Sequence, residues 1–91
     1  GVPIYAAASG TVSYAGWRND YGYNVIIDHG NGLQTRYAHA SALYVSKGTQ
    51  VSQGDVIAAV GTTGNSSGNH LHFEVIVNGT RVNPAPYINL K

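Results

Sequence analysis

The chain has 91 residues, of which 10% are charged, a formal net charge of +1 and no cysteine. That length supports one small domain with a moderately buried core, and the missing cysteine excludes a disulfide scaffold and a thiolate-ligated zinc site. The low charge carries no basic stripe that would point to nucleic acid, and no apolar run approaches the roughly 20 residues of a membrane helix.

The elements are nearly all β. Twelve Gly and seven Tyr stand beside one Phe and one Trp, and Gly, Tyr, Val and Thr favour strands and turns over helices. The start, Gly1-Val2-Pro3-Ile4-Tyr5, has neither an initiator Met nor the basic and apolar regions of a signal peptide, so a piece of a longer protein is expected. After Ala6-Ala7-Ala8, residues Gly10 to Ala15 alternate as a short strand, and Asn19-Asp20-Tyr21-Gly22 is turn chemistry. Tyr23 to His29 and Leu33 to His39 flank Gly30-Asn31-Gly32, the pattern of a hairpin. Residues 41–50 are mixed, with a turn at Lys47-Gly48. Val51 to Gly61 reads as two short strands around Gln53-Gly54. A polar loop, Thr62 to Asn69, leads into the strand His70-Leu71-His72-Phe73-Glu74-Val75. Asn78-Gly79 closes a last hairpin, and Asn83-Pro84-Ala85-Pro86 ends the pairing, since Pro cannot donate to a ladder. Short strands at this spacing predict an all-β antiparallel sandwich or partly open barrel.

The histidines carry the chemistry. On a strand His70 and His72 share one face, with roots roughly 6.6 Å apart, while Leu71, Phe73 and Val75 share the other. One imidazole can then bind a metal while its neighbour reaches another ligand of that metal, and His39 on the upstream strand could add a third. A catalytic zinc takes three protein ligands and keeps one position open. The acids on hand are Asp20, Asp28, Asp55 and Glu74. Glu74 lies on the His72 face, either as a ligand or as an ordinary solvated charge, with the solvated charge expected. His29, beside Asp28 at a hairpin tip, is expected to be structural. The residues alone leave two readings, a hydrolytic zinc centre or a polar sheet face that happens to hold two imidazoles.

The run Gly68-Asn69-His70-Leu71-His72-Phe73-Glu74-Val75 resembles the His-x-His signature of the M23 (lysostaphin-type, LytM-like) zinc endopeptidases. Gly1 to Ala7 with Gly10-Thr11-Val12, Tyr21 to Gly30, Tyr37-Ala38-His39, Val51 to Gly64 and Val82-Asn83-Pro84 follow in the family's order. The resemblance implies a compact antiparallel β domain of the duplicated hybrid motif type over residues 1–91. The Val51–Gly64 stretch would be its glycine-punctuated hairpin, and the loops Trp17–Gly22 and Thr62–Asn69 would line a groove. It further implies Zn2+ as cofactor, peptidoglycan peptides as substrate and an extracellular or cell-envelope location. By position His72 would ligate zinc, and His39 and His70 would flank the attacking water and the scissile carbonyl. The family's other two ligands come from a His-x-x-x-Asp motif that falls before Gly1, so the sequence is expected to be an N-terminally truncated piece of an active domain. The alternative is a non-catalytic module that binds the wall or activates an amidase. Val51 to Ile57 also resembles the hairpin of lipoyl or biotinyl carriers, but it lacks a central Lys, and Lys47 lies outside it.

Overall fold

The computed structural model describes residues 2–61 and 72–83. These form eight strands and no helix: β1 (Pro3–Tyr5), β2 (Gly10–Arg18), β3 (Gly22–Gly30), β4 (Leu33–Leu43), β5 (Gln50–Val51), β6 (Val56–Val60), β7 (His72–Val77) and β8 (Thr80–Val82). Every described pairing is antiparallel. The order β1-β6-β4-β3-β2-β5 runs across one sheet, and β7 and β8 branch from β4. The all-β expectation holds.

Both expected Asn-Gly hairpins form. Gly30 pairs with Leu33 across Asn31-Gly32, whose φ angles are 54° and 79°. Val77 pairs with Thr80 across Asn78-Gly79, at 51° and 83°. Two successive residues with positive φ give the backbone twist that matches right-handed strands, and Asn and Gly tolerate it best. The strands around Gln53-Gly54 do not form a hairpin with each other. β5 pairs with β2, and β6 pairs with β1 and β4. Asp55 explains the local turn, because its carboxylate accepts the Ser52 amide at 2.8 Å and its own amide donates to the Ser52 carbonyl at 3.0 Å.

β4 is the hub of the sheet. Residues 33–38 lie between β3 and β7, and residues 40–43 pair with β6. Its inward face joins Tyr37 to Val25, Ile27, Val12, Ile4 and Ile57 in the main core, with Phe73 packed against them. Strand alternation sends Arg36 and Gln34 to the opposite face.

Polar side chains thread that core in one ring. The Ala7 amide donates to the Tyr37 hydroxyl at 3.0 Å. Tyr37 Oη and Thr35 Oγ1 are 2.7 Å apart, Thr35 Oγ1 and His29 Nε2 are 2.7 Å apart, and His29 Nδ1 lies 2.7 Å from the Ser9 carbonyl. A carbonyl only accepts, so Nδ1 carries the proton, and a neutral ring takes Thr35's hydrogen at Nε2. Tyr37 must then donate to Thr35. His29 is structural, as expected. Burial pushes the Tyr37 hydroxyl's pKa up, against the opposing effect of its hydrogen bonds with Thr35 and Ala7. Tyr37→Phe is expected to cost about 1–3 kcal/mol, since it orphans a buried donor and a buried acceptor. The check is a lower urea midpoint at unchanged m.

Candidate active site

β7 places His72 and Glu74 on one face and Phe73 and Val75 on the other, where Tyr37 and Phe73 rings meet at 5.5 Å. Register sets Ala38 opposite His72 and Arg36 opposite Glu74. By alternation alone, His39 belongs with Thr35 and Tyr37 on the core face, away from His72. The structure brings it to His72 instead, with ring centroids 5.6 Å apart at an interplanar angle of 79°.

A β-bulge does this. Tyr23 pairs with Ala40 and Val25 with Tyr37, so the single residue Asn24 faces both Ala38 and His39. The extra residue is His39, at φ 60°. An L-residue in that left-handed region carries about 1–2 kcal/mol of steric cost, which the surrounding contacts hold in place. The His39 amide donates to the Tyr21 carbonyl at 2.8 Å, and its carbonyl accepts from the Gly61 amide at 3.0 Å. Gly61 must be glycine, because a Cβ there would sit 2.6 Å from the Ser41 backbone nitrogen. Buried Asn24 braces the other side, with Nδ2 donating to the carbonyls of Gly16 at 3.2 Å and Gly22 at 3.1 Å.

Glu74 overturns the expectation of a solvated charge: its side chain is 8% exposed. Oε2 accepts from His72 Nε2 at 2.9 Å, from the Tyr21 hydroxyl at 3.1 Å and from Arg81 at 3.3 Å. Oε1 accepts from Arg36 at 3.2 Å. Four donors saturate the carboxylate, so it is not a free metal ligand either. Burial raises its pKa, but the hydrogen bonds from His72, Tyr21 and Arg81 and the Arg36 charge outweigh that, and the net shift is downward. The Tyr21 ring lies under the Arg36 guanidinium, 4.1 Å from its centroid, and 5.9 Å from the His72 ring. An open cleft of about 480 Å³ runs along His72, Glu74, Thr80 and Arg81.

Sequence reasoning missed Tyr21, Arg36 and Arg81. The i, i+2 spacing of His72 and Glu74 was the visible signal, but their donors arrive through nonlocal register. Of the two loops expected at the groove, the turn that follows Trp17 does reach the site through Tyr21. Residues 62–69 and His70 lie outside the described residues. The other acids are engaged elsewhere: Asp20 with Arg18 at 3.2 Å, Asp28 with the Gly30 amide at 2.9 Å, and Asp55 at its turn.

The donor chemistry of His72 fits a zinc ligand. Its Nε2 is held by a carboxylate, the arrangement common at zinc-bound histidines, which leaves Nδ1 to face a metal. Among the described residues no group of three or more His, Cys, Asp or Glu side chains stands together to hold an ion.

The chain belongs to peptidase family M23, whose profile matches residues 1–84. It is 46% identical over 84 residues to the DD-carboxypeptidase/endopeptidase Mpg of Neisseria meningitidis, covering 92% of this chain and 19% of that protein. It is 38% identical over 88 residues to the murein hydrolase activator EnvC of Escherichia coli, covering 97% of this chain and 21% of that protein. The chain thus spans about a fifth of the length of these curated relatives. The catalytic domain of lysostaphin from Staphylococcus simulans shares its fold at TM-score 0.90 and 33% identity, over 97% of this chain and 71% of that one. A zinc-containing peptidase from Vibrio cholerae does so at TM-score 0.87 and 38% identity, over 90% of this chain and 25% of that one.

Two outcomes test the geometry. His39→Val is expected to be less stable than His39→Asn by about 1–2 kcal/mol in chemical denaturation, because a β-branched residue resists the left-handed backbone that Asn tolerates. The folded protein also binds fewer protons at Glu74 than the unfolded chain, since the folded pKa is depressed. Glu74's contribution to stability is therefore complete above its ordinary value of 4.5 and is lost as pH falls through the lower folded value. Unfolding curves recorded into the acid range should show a steeper loss for the wild type than for Glu74→Gln.

Proposed function

We propose that this chain forms the histidine-bearing part of a zinc-dependent endopeptidase site that hydrolyses peptide bonds in peptidoglycan. The observation that carries this proposal is the meeting of His39 and His72 across a strained bulge, in a chain of the M23 family. Backbone held in a sparsely populated conformation clusters at functional sites.

In the full-length protein His72 would hold the metal through Nδ1, with the remaining ligands supplied by a His-x-x-x-Asp segment outside this sequence. When bound, zinc supplies Lewis acidity, bringing the pKa of a coordinated water to about 7 and polarising a carbonyl. His39 and His70 carry the proton traffic. An imidazole on one flank takes the attacking water's proton and returns a proton to the departing amine, a role worth about 10²–10⁴-fold in rate. An imidazolium on the other flank donates to the oxygen on which negative charge develops. Such a substrate puts the protein in the cell envelope or outside the cell.

The likeness to EnvC supports a second reading, a wall-binding or amidase-activating module, as does the lack of any group of three or more His, Cys, Asp or Glu side chains placed to hold an ion among the described residues. Elemental analysis of the full-length protein separates the two. Stoichiometric zinc with cleavage of purified peptidoglycan supports the enzyme, and a folded, zinc-free protein supports the module. Within the enzyme reading, His72→Ala should abolish zinc binding, whereas His70→Ala should retain zinc and lose about 10²-fold or more in activity. Equal zinc loss in both variants would overturn these roles.

A further inference from the structure

We propose that Glu74 is the positioning residue of His72: it fixes which ring nitrogen carries the proton and which way the imidazole faces. The proposal rests on the reading above only for what His72 does in catalysis.

The His72 side chain is 41% exposed, whereas that of Glu74 is 8% exposed. The rings of His39 at 5.6 Å and Tyr21 at 5.9 Å pack on the imidazole, but neither contact fixes which of its nitrogens carries the proton. What fixes that is the 2.9 Å contact from Nε2 to Oε2, the shortest that the carboxylate makes to any of its donors. An ionised carboxylate only accepts, so Nε2 must carry the hydrogen, and in the neutral ring the lone pair is left at Nδ1.

The anchor is itself immobile. Arg36, with its side chain 11% exposed, fixes Oε1 from beneath. Arg81, with its side chain 69% exposed, reaches Oε2 from the cleft side. The Tyr21 hydroxyl lies within 3.4 Å of both oxygens. Oriented this way, Oε2 has one direction to offer His72. Among the described residues Arg36 Nε is buried without a hydrogen-bond partner, and the guanidinium is engaged through Nη1 with Glu74 and through its face with Tyr21. A purely structural role for Glu74, as the counter-charge of Arg36, would not require the His72 contact at all.

The test is the tautomer of His72, read from ring 15N shifts and proton correlations in alkaline buffer. The wild type should show a single Nε2–H form, with that proton protected from solvent exchange. In Glu74→Gln the amide oxygen is expected to stay with buried Arg36, which only donates. This turns the NH2 group onto His72, whose neutral ring can meet it only by accepting at Nε2 with the hydrogen at Nδ1. An Nδ1–H form of His72 should then appear, with loss of exchange protection. In the full-length protein the same variant should lose about 10- to 100-fold in kcat with little change in KM. If Glu74→Gln fails to fold, Arg36→Met combined with Glu74→Leu removes both charges, so that neither is left buried alone, and takes away the acceptor for Nε2–H; the same tautomer change is expected. A protected, single Nε2–H form in either variant overturns the proposal, as does an Nδ1–H form in the wild type. Failure of the wild-type full-length protein to cleave peptidoglycan would remove the enzyme reading and leave the tautomer result standing.

Discussion

One surplus residue in β4 marks the point at which the sheet divides and sets the geometry beside His72. At His39 the strand stops pairing with β7 and starts pairing with β6, and the same residue takes the left-handed backbone that turns its side chain across the sheet. A regular ladder could not do both, because strict alternation would send the imidazole into the core beside Tyr37. The change of partner parts β6 from β7 along β4, and the His39 ring is turned toward that of His72 by the bulge. The Tyr21 carbonyl, the Gly61 amide and the Asn24 side chain hold it in place from three strands or their connections.

On the face of β7 away from the core, Glu74 is charged and buried at once. A buried carboxylate is costly unless its lone pairs are met, and the desolvation of Arg36 adds to that cost. Here two guanidinium groups, a phenol and an imidazole converge on Glu74, and their combined effect lowers its pKa despite its burial. The cluster stiffens the face of β7 that carries His72. An apolar face of the same volume would pack as well, but would leave that ring free to rotate.

Most of the scaffold was legible because it is encoded locally. The Asn31-Gly32 and Asn78-Gly79 turns, the alternation of β3 and the pairing of His72 with Glu74 on one face all follow from residues within a few positions of each other. The hairpin expected around Gln53-Gly54 failed because short strands take their partners from the rest of the sheet; Asp55 makes the turn without any cross-strand pairing. The burial of Glu74 was invisible for a related reason. Arg36 reaches it only through the β4–β7 register, and Tyr21 only through the bulge. His39 was picked out by its motif, but nothing in Tyr37-Ala38-His39 announces a left-handed residue.

The ring of hydrogen bonds through Tyr37, Thr35 and His29 begins at the amide of Ala7 and ends at the carbonyl of Ser9, two residues along the same connection. It is a closed circuit in which every donor points the same way around, so the bond dipoles reinforce one another. No link can be reversed alone, and none can be lost without leaving its neighbours mismatched inside the core. The segment between β1 and β2 is thereby riveted at both ends to β3 and β4. Detachment of that segment and opening of the circuit become a single event, which makes the N-terminal edge of the sheet one cooperative unit with its centre rather than a strand free to fray.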